Sequence, residues 1–219
     1  ERVIRYGGMD YYDILAYQPY RNPPEMGHFE EMAALRALLA RFGVEKPIWF
    51  TEMGGDTKHY PFSDGKDLFA ERPCRRQCGY LVRYMTIAMA EGVDKVFWFA
   101  QQAEGSSMET VQDRRKRPVF YAYQHLIRTI DRFSAIRELV PHGSNGLYAY
   151  LLACPGEDVV IAWSVNGPQG MALPGWREAR EMRDVMGQPL PMPDGEQLML
   201  TEIPVYLLFE KAPETLQRQ

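Results

Sequence analysis

Three short apolar runs, each followed by a stretch with helical periodicity, constrain the fold of this chain more than any other feature. The runs span residues 14–17, 48–50 and 96–99, and each leads into a polar segment. Uninterrupted β-branched and aromatic runs of this length predict strands that are buried on both faces, as in parallel sheets. The pattern therefore predicts an α/β unit in which parallel strands alternate with helices.

The segments between these runs carry signals for helix starts and stops. Helices are predicted over residues 30–42, 73–91 and 118–133. The first has acidic Glu30 and Glu31 in its opening turn and Gly43 at its end, and the third begins at Pro118, a favoured first helical position. We assign residues 1–133 to this α/β part of the chain.

The pattern changes after residue 133, where glycine and proline recur at close intervals. Short strands are predicted over residues 147–153, 159–165, 183–186, 198–201 and 205–209. Strands of this length and spacing are typical of a small antiparallel β-sandwich. We place this all-β domain at residues 134–211 and expect the polar segment 212–219 to be a frayed tail.

Composition excludes several classes of partner. The formal net charge of −4 at pH 7 provides no basic surface for nucleic acid. No run approaches the roughly 18 apolar residues of a membrane-spanning helix, so no membrane partner is predicted. The chain begins with Glu1 and lacks a signal-peptide pattern, and we expect it to start inside a larger polypeptide.

Cysteine usage gives no sign of a disulfide framework or a metal centre. The chain has 3 cysteines, an odd number. Cys74 and Cys78 lie four residues apart in a predicted helix, without further Cys or His nearby to complete a ligand set. We predict no metal site and no cofactor.

Glu52 is the candidate for chemistry. It closes the strand predicted within residues 46–55, which is entered through Pro47 and left through two glycines. A carboxylate there is expensive to bury unless it is paired or put to use, and the carboxyl ends of parallel strands are where active sites of α/β proteins gather. The alternative is a Glu that caps the next turn or forms a local salt bridge.

In this order and spacing, the motifs resemble the last three βα units of a (β/α)8 TIM-type barrel in the retaining glycoside hydrolases of clan A, with the β-sandwich that many members carry behind it. Residues 12–20, 47–54 and 96–99 resemble the sixth, seventh and eighth barrel strands. Residues 184–187, 198–201 and 204–206 resemble the last strands of the β-domain in relatives of the β-xylosidase and α-L-iduronidase family. The resemblance covers nearly all of the chain.

The resemblance implies roles for individual residues. Glu52 matches the nucleophile at the end of the seventh strand, and Trp98 matches the tryptophan that floors the sugar subsite. The family often has a His before Pro-Tyr at the sixth strand, where this chain has Gln18. The family's acid/base, a Glu that usually follows Asn at the fourth strand, would precede residue 1, and the chain contains no Asn-Glu pair.

Further candidates lie at the predicted strand exits. Gln18 and Tyr20 follow the first strand, where they bind sugar hydroxyls or merely pack the loop. Trp98 and its neighbour Phe97 point to opposite sides of a strand, so one of them faces the barrel axis, and a core position is the alternative for Trp98. Glu104, beyond the third strand, is interpreted as a rim or binding group rather than the acid/base.

Three basic residues in the predicted loops admit two interpretations. Arg21, Lys58 and His59 either pair with a sugar carboxylate, which would indicate uronic acid substrates, or are solvated loop charges. Solvated charges are the commoner case.

The function predicted from these residues is that of a glycosidase fragment. It supplies Glu52, lacks the acid/base, is weakly active or inactive alone, and acts on an oligosaccharide or polysaccharide. The alternative is a non-catalytic carbohydrate-binding or assembly module of the same architecture. Three strands of an eight-stranded barrel leave two open edges and an uncovered face, so we expect self-association or a partner chain that supplies the missing barrel units.

Overall fold

Strands and helices alternate in the first half of the chain. The computed structural model describes residues 1–54, 71–102, 107–110, 113–141 and 144–217. The elements of this half are α1 (Arg2–Arg5), β1 (Leu15–Tyr17), α2 (His28–Arg41), β2 (Ile48–Met53), α3 (Glu71–Ala90), β3 (Lys95–Trp98) and α4 (Pro118–Ile130). The predicted runs overlap β1, β2 and β3, and α4 ends early because the Phe133 amide donates to the Ile130 carbonyl in a turn.

The three strands form a parallel sheet with β2 in the centre. One face is covered: Ile48 and Phe50 are buried, and the Phe50 ring lies 6.3 Å from that of Tyr84 in α3. On the other face Trp49 is half-buried and Phe97 is 47% exposed, with ring centroids 5.9 Å apart. This second face, which we call the open face, is uncovered in the part of the chain that the structure describes.

The second half is antiparallel. Its strands are β4 (Ala135–Glu138), β5 (Leu147–Cys154), β6 (Glu157–Ser164), β7 (Gln169–Met171), β8 (Glu181–Arg183), β9 (Pro189–Leu190), β10 (Leu198–Leu200) and β11 (Val205–Phe209). They form a six-stranded sheet of order β4-β5-β6-β11-β8-β9 and a two-stranded sheet of β10 and β7. Sequence patterns missed β4, β7 and β9, which are at most four residues long and lack continuous apolar runs.

The strand predicted at 183–186 lies earlier, at Glu181–Arg183. The cause is Asp184, whose carboxylate accepts hydrogen bonds from the backbone amides of Met186 and Gln188, both at 2.9 Å. These bonds hold a turn with Gly187 in the left-handed region, so the chain reverses where the strand was expected to continue.

The six-stranded sheet is buried on both faces. Toward the helices, the Tyr148 ring stacks on Trp163 at 5.2 Å and faces Phe29 of α2 at 6.3 Å. On the opposite face, Leu151 and Val160 belong to a second apolar cluster, with residues of β7 and β10. The helices therefore lie between two sheets, and one continuous core joins the α/β half to the antiparallel half.

The prediction of a frayed tail at residues 212–219 is wrong for residues 214–217. Residues Glu214–Gln217 form a short helix, α5, in which Leu216 is fully buried. The guanidinium of Arg137 in β4 donates hydrogen bonds to the carbonyls of Leu216 and Gln217. The polar composition of the segment gave no signal for this packing. One buried leucine and two hydrogen-bonded backbone carbonyls are enough to hold a single helical turn.

Candidate active site

Glu52 lies near the carboxyl end of β2, the central strand of the parallel sheet. It is half-buried, and its Oε2 accepts a hydrogen bond of 3.0 Å from the hydroxyl of Tyr20. Tyr20 follows β1, the neighbouring strand, so the exits of two parallel strands meet at this point. The structure thereby brings together two of the predicted site residues.

A β-bulge lies at Glu52. Phe50 pairs with Val96 and Met53 with Trp98, so two residues of β2, Thr51 and Glu52, oppose one residue of β3. Phe50 and Met53 are both buried on the covered face although they are three residues apart. A bulge re-aims the side chains around it, and bulges occur often beside active sites. Nothing in the sequence had signalled it.

The environment of Tyr20 keeps its phenol protonated. Partial burial, the hydrogen bond to Glu52 and the negative charge of that carboxylate together raise the pKa of Tyr20 to about 12. At neutral pH the hydroxyl is therefore a donor, and Glu52 receives one directed hydrogen bond from it.

Arg21 and Gln18 flank Tyr20 in different environments. The Arg21 guanidinium pairs with Glu31 of α2 and donates to the Met26 carbonyl at 3.0 Å, and its side chain is only 7% exposed. Gln18 is exposed, and its carbonyl accepts the backbone amide of Tyr20 at 3.0 Å. The guanidinium of Arg21 thus already has a carboxylate partner inside the protein, whereas the side chain of Gln18 faces solvent.

Trp98 lies on the covered face of the sheet. Its ring packs edge-on against Tyr80 of α3, with centroids 6.1 Å apart. Its role as a sugar platform stays a prediction. The exposed aromatic residues on this strand and just after it are Phe97 and Phe99, at 47% and 44%. Alternation along residues 97–99 places Phe97 and Phe99 on the same side of the chain, but it does not indicate which side is exposed.

Three sequence-predicted residues fall outside the described residues. Glu104 belongs to the segment 103–106, and Lys58 and His59 belong to the segment 55–70. Their predicted roles stay predictions.

The described ranges contain neither a candidate metal site nor a candidate membrane-spanning helix. In those ranges no group of three His, Cys, Asp or Glu side chains is placed to hold a metal ion. Cys74 and Cys78 are buried in α3. No helix in the same ranges is long and apolar enough to cross a bilayer.

Comparison with solved structures identifies the architecture. A β-porphyranase of glycoside hydrolase family 86 from Bacteroides plebeius matches 94% of this chain with a TM-score of 0.60 at 11% identity. A glycoside hydrolase family 30 endoxylanase from Clostridium papyrosolvens matches 92% with a TM-score of 0.52 at 13% identity. The chain shares the fold of the matching part of these two enzymes. An exported protein from Bacteroides fragilis matches 90% with a TM-score of 0.55 at 8% identity.

The match covers only part of each neighbour. The chain spans 42% of the porphyranase, 50% of the endoxylanase and 46% of the exported protein. The two enzymes are TIM-barrel glycoside hydrolases, and a match over about half of their length is consistent with a partial barrel in this chain. No family model matches the sequence, and no curated protein matches it.

Proposed function

We propose that this chain supplies the nucleophile of a retaining glycoside hydrolase and that Glu52 is the attacking carboxylate. The observation that carries the proposal is the 3.0 Å hydrogen bond from Tyr20 to Glu52 at the carboxyl end of a central parallel strand. The glycoside hydrolase fold supports the reaction class. We assign the chain to the last three βα units of a barrel, followed by its β-domain.

The chemistry requires two carboxyl groups about 5 to 5.5 Å apart. Tyr20 holds Oε2 of Glu52, and we assign attack on the anomeric carbon to Oε1. The sugar becomes bonded to Glu52 while the second carboxylic acid protonates the departing oxygen, and water then releases the sugar. In this proposal the second group belongs to barrel units outside the chain.

The substrate in this proposal is an oligosaccharide or polysaccharide. Gln18 and Tyr20 are polar groups that follow β1, Tyr20 contacts Glu52, and both suit sugar hydroxyls. Trp98, Arg21 and Glu104 remain proposed substrate-binding residues. Phe97 and Phe99 add exposed aromatic surface near the same edge.

Covalent labelling tests the proposal. We call this chain, together with strands that cover its open face, the assembled barrel. The assembled barrel is incubated with 2-fluoro glycosyl fluorides of several sugars, whose leaving group needs no protonation. Peptide mass spectrometry is expected to find the adduct on Glu52, with loss of labelling in Glu52→Gln and retention in Glu45→Gln, an exposed residue before β2.

Two other results would count against this assignment. An adduct on a different carboxylate would place the nucleophile elsewhere. Sugar binding without any adduct would favour a carbohydrate-binding or assembly module of the same architecture.

The open face requires a covering partner. Phe97 and Phe99 are exposed, and β1 and β3 are the edge strands of the sheet in the described part of the chain. Sheet edges and apolar patches of this kind recruit other strands and surfaces. We assign the covering role to further barrel units, and in their absence to a second copy of the chain.

Sedimentation velocity across a dilution series tests the covering role. We expect the 219-residue chain alone to sediment as dimers or larger species that shift toward smaller ones on dilution. Association would bury the apolar surface that the described residues leave exposed on this sheet. A strictly monomeric species with slow amide hydrogen exchange in β1, β2 and β3 would contradict this expectation.

A further inference from the structure

The segment between β1 and α2 places Tyr20 beside Glu52, and its main chain is tied to α3 on both sides of Tyr20. The hydroxyl of Tyr84 donates to the carbonyl of Pro19, and the hydroxyl of Tyr80 donates to the carbonyl of Arg21. Pro19 and Arg21 are the residues immediately before and after Tyr20. The peptide group before Tyr20 and the peptide group after Arg21 are therefore oriented by side chains of one helix.

The two tyrosines occupy one face of α3. They are four residues apart, a spacing that puts side chains on the same side of a helix, and both are at most 2% exposed. Their rings lie 5.7 Å apart. Burial raises the pKa of Tyr84, so its phenol remains a donor over the whole working pH range.

A third tie reaches the same segment from the antiparallel half. Arg83, which lies between the tyrosines in sequence, donates from Nε to Oε1 of Glu25 at 2.7 Å. The indole nitrogen of Trp163 in β6 donates to the same oxygen at 2.8 Å. Arg83 and Glu25 are both buried, so this end of the segment is fixed to α3 and to β6 together.

We propose that Tyr80 and Tyr84 are positioning residues that hold the hydroxyl of Tyr20 against Glu52, with the Arg83–Glu25–Trp163 contact as a second anchor. The use of Glu52 in catalysis rests on the proposed function, whereas the positioning does not. Tyr80 also packs against the ring of Trp98. This one buried residue therefore contacts two predicted site residues, Trp98 through its ring and Arg21 through its carbonyl.

The competing interpretation is that these tyrosines are ordinary core residues. Tyr84 packs edge-on against Phe50 at 6.3 Å and His28 at 5.9 Å, contacts that a phenylalanine would preserve. Tyr→Phe substitutions therefore separate the two interpretations, because they remove only the hydroxyl that reaches the segment.

The titration of Tyr20 provides the readout. The chain is prepared with tyrosine labelled with ¹³C at Cζ, and the Tyr20 signal is assigned by its loss in Tyr20→Phe. With a pKa of about 12, about one-tenth of Tyr20 is ionised at pH 11. Tyr80→Phe and Tyr84→Phe are expected to raise that fraction, toward about nine-tenths if the pKa returns to the ordinary 10.0.

A second measurement, at pH 7, provides a readout for any variant that unfolds at pH 11. There the Tyr20 Cζ shift reports the hydrogen bond to Glu52, and its value without that carboxylate is taken from Glu52→Gln. Both tyrosine variants are expected to move the signal toward the Glu52→Gln value. Tyr206→Phe is the matched control, because it removes a buried hydroxyl that has no hydrogen-bond partner among the described residues.

The outcomes are distinct. If Tyr20 titrates and resonates as in the parent chain when both tyrosines are phenylalanine, the positioning role is overturned. If Tyr206→Phe produces the same change as Tyr84→Phe, the effect is general loosening and the proposal fails. Absence of an adduct on Glu52, with a shifted Tyr20 in Tyr84→Phe, would reject the proposed function while retaining the positioning role.

Discussion

Glu52→Gln is expected to lower glycoside hydrolysis by the assembled barrel by on the order of 10⁵-fold or more, the size of effect seen when a covalent nucleophile is removed. An amide of the same shape does not form the glycosyl-enzyme bond. The loss is expected in kcat and to persist with activated aryl glycosides, since better leaving groups replace only the acid. Steady-state kinetics on aryl glycosides of graded leaving-group pKa measure it.

Two comparisons make the result specific. Glu45→Gln, which changes an exposed carboxylate before β2, is expected to keep the parent rate. The chain without the acid/base is expected to hydrolyse unactivated glycosides on the order of 10² to 10⁴ times more slowly than a complete enzyme, with a smaller deficit on activated ones. A Glu52→Gln protein that retains its rate would assign the nucleophile to another residue.

Acid is expected to destabilise the chain through His28. This residue is fully buried at the start of α2, and neither ring nitrogen has a hydrogen-bond partner among the described residues. Burial and the nearby Arg21 charge lower its pKa to about 4 from 6.5, against a smaller opposing effect of Glu31. The unfolded chain therefore takes up the proton first, so this contribution to stability is complete above pH 6.5 and declines as the pH falls toward 4.

The expected size follows from the pKa difference. Between pH 7.5 and pH 5, the His28 contribution to the free energy of unfolding is expected to fall by about 2 kcal/mol. A phenylalanine at position 28 suits the surrounding aromatic rings and does not titrate. Between the same two pH values, the free energy of unfolding of His28→Phe is therefore expected to fall by about 2 kcal/mol less than that of the parent chain. Urea unfolding of both proteins at the two pH values measures the difference, in which other titrating groups cancel. Equal pH dependence would contradict the assignment.

The elements of the parallel half could be predicted from the sequence because each has a local signal. The strands at β1, β2 and β3 are continuous apolar runs, and Pro118 and Gly43 mark helix ends. The position of Glu52 at a strand exit followed from the same signals. Hydrophobic burial determines these features, and it can be recognised from neighbouring residues alone.

Features that depend on contacts between distant residues could not be predicted. The bulge at Glu52 inserts one residue into β2, and a shift of one residue in a strand exchanges its two faces. Which of Phe97 and Trp98 faces the helices was therefore open from the sequence. The hydrogen bonds of the Tyr80 and Tyr84 hydroxyls belong to the same class, because bonds to carbonyls some 60 residues away leave no local pattern.

The six-stranded sheet, which is covered on both faces, has a consequence for how the chain can be divided. Residue 133 separates two patterns in the sequence, but Tyr148, Trp163 and Tyr206 share one core with α3 and α4. A cut there would expose the aromatic face of the sheet and the outer faces of the helices at once, and would detach Trp163 from Glu25. The β-domain is a separate segment in the sequence, but it shares its core with the helices. A recombination that exchanged this domain between related proteins would therefore have to exchange the helices as well.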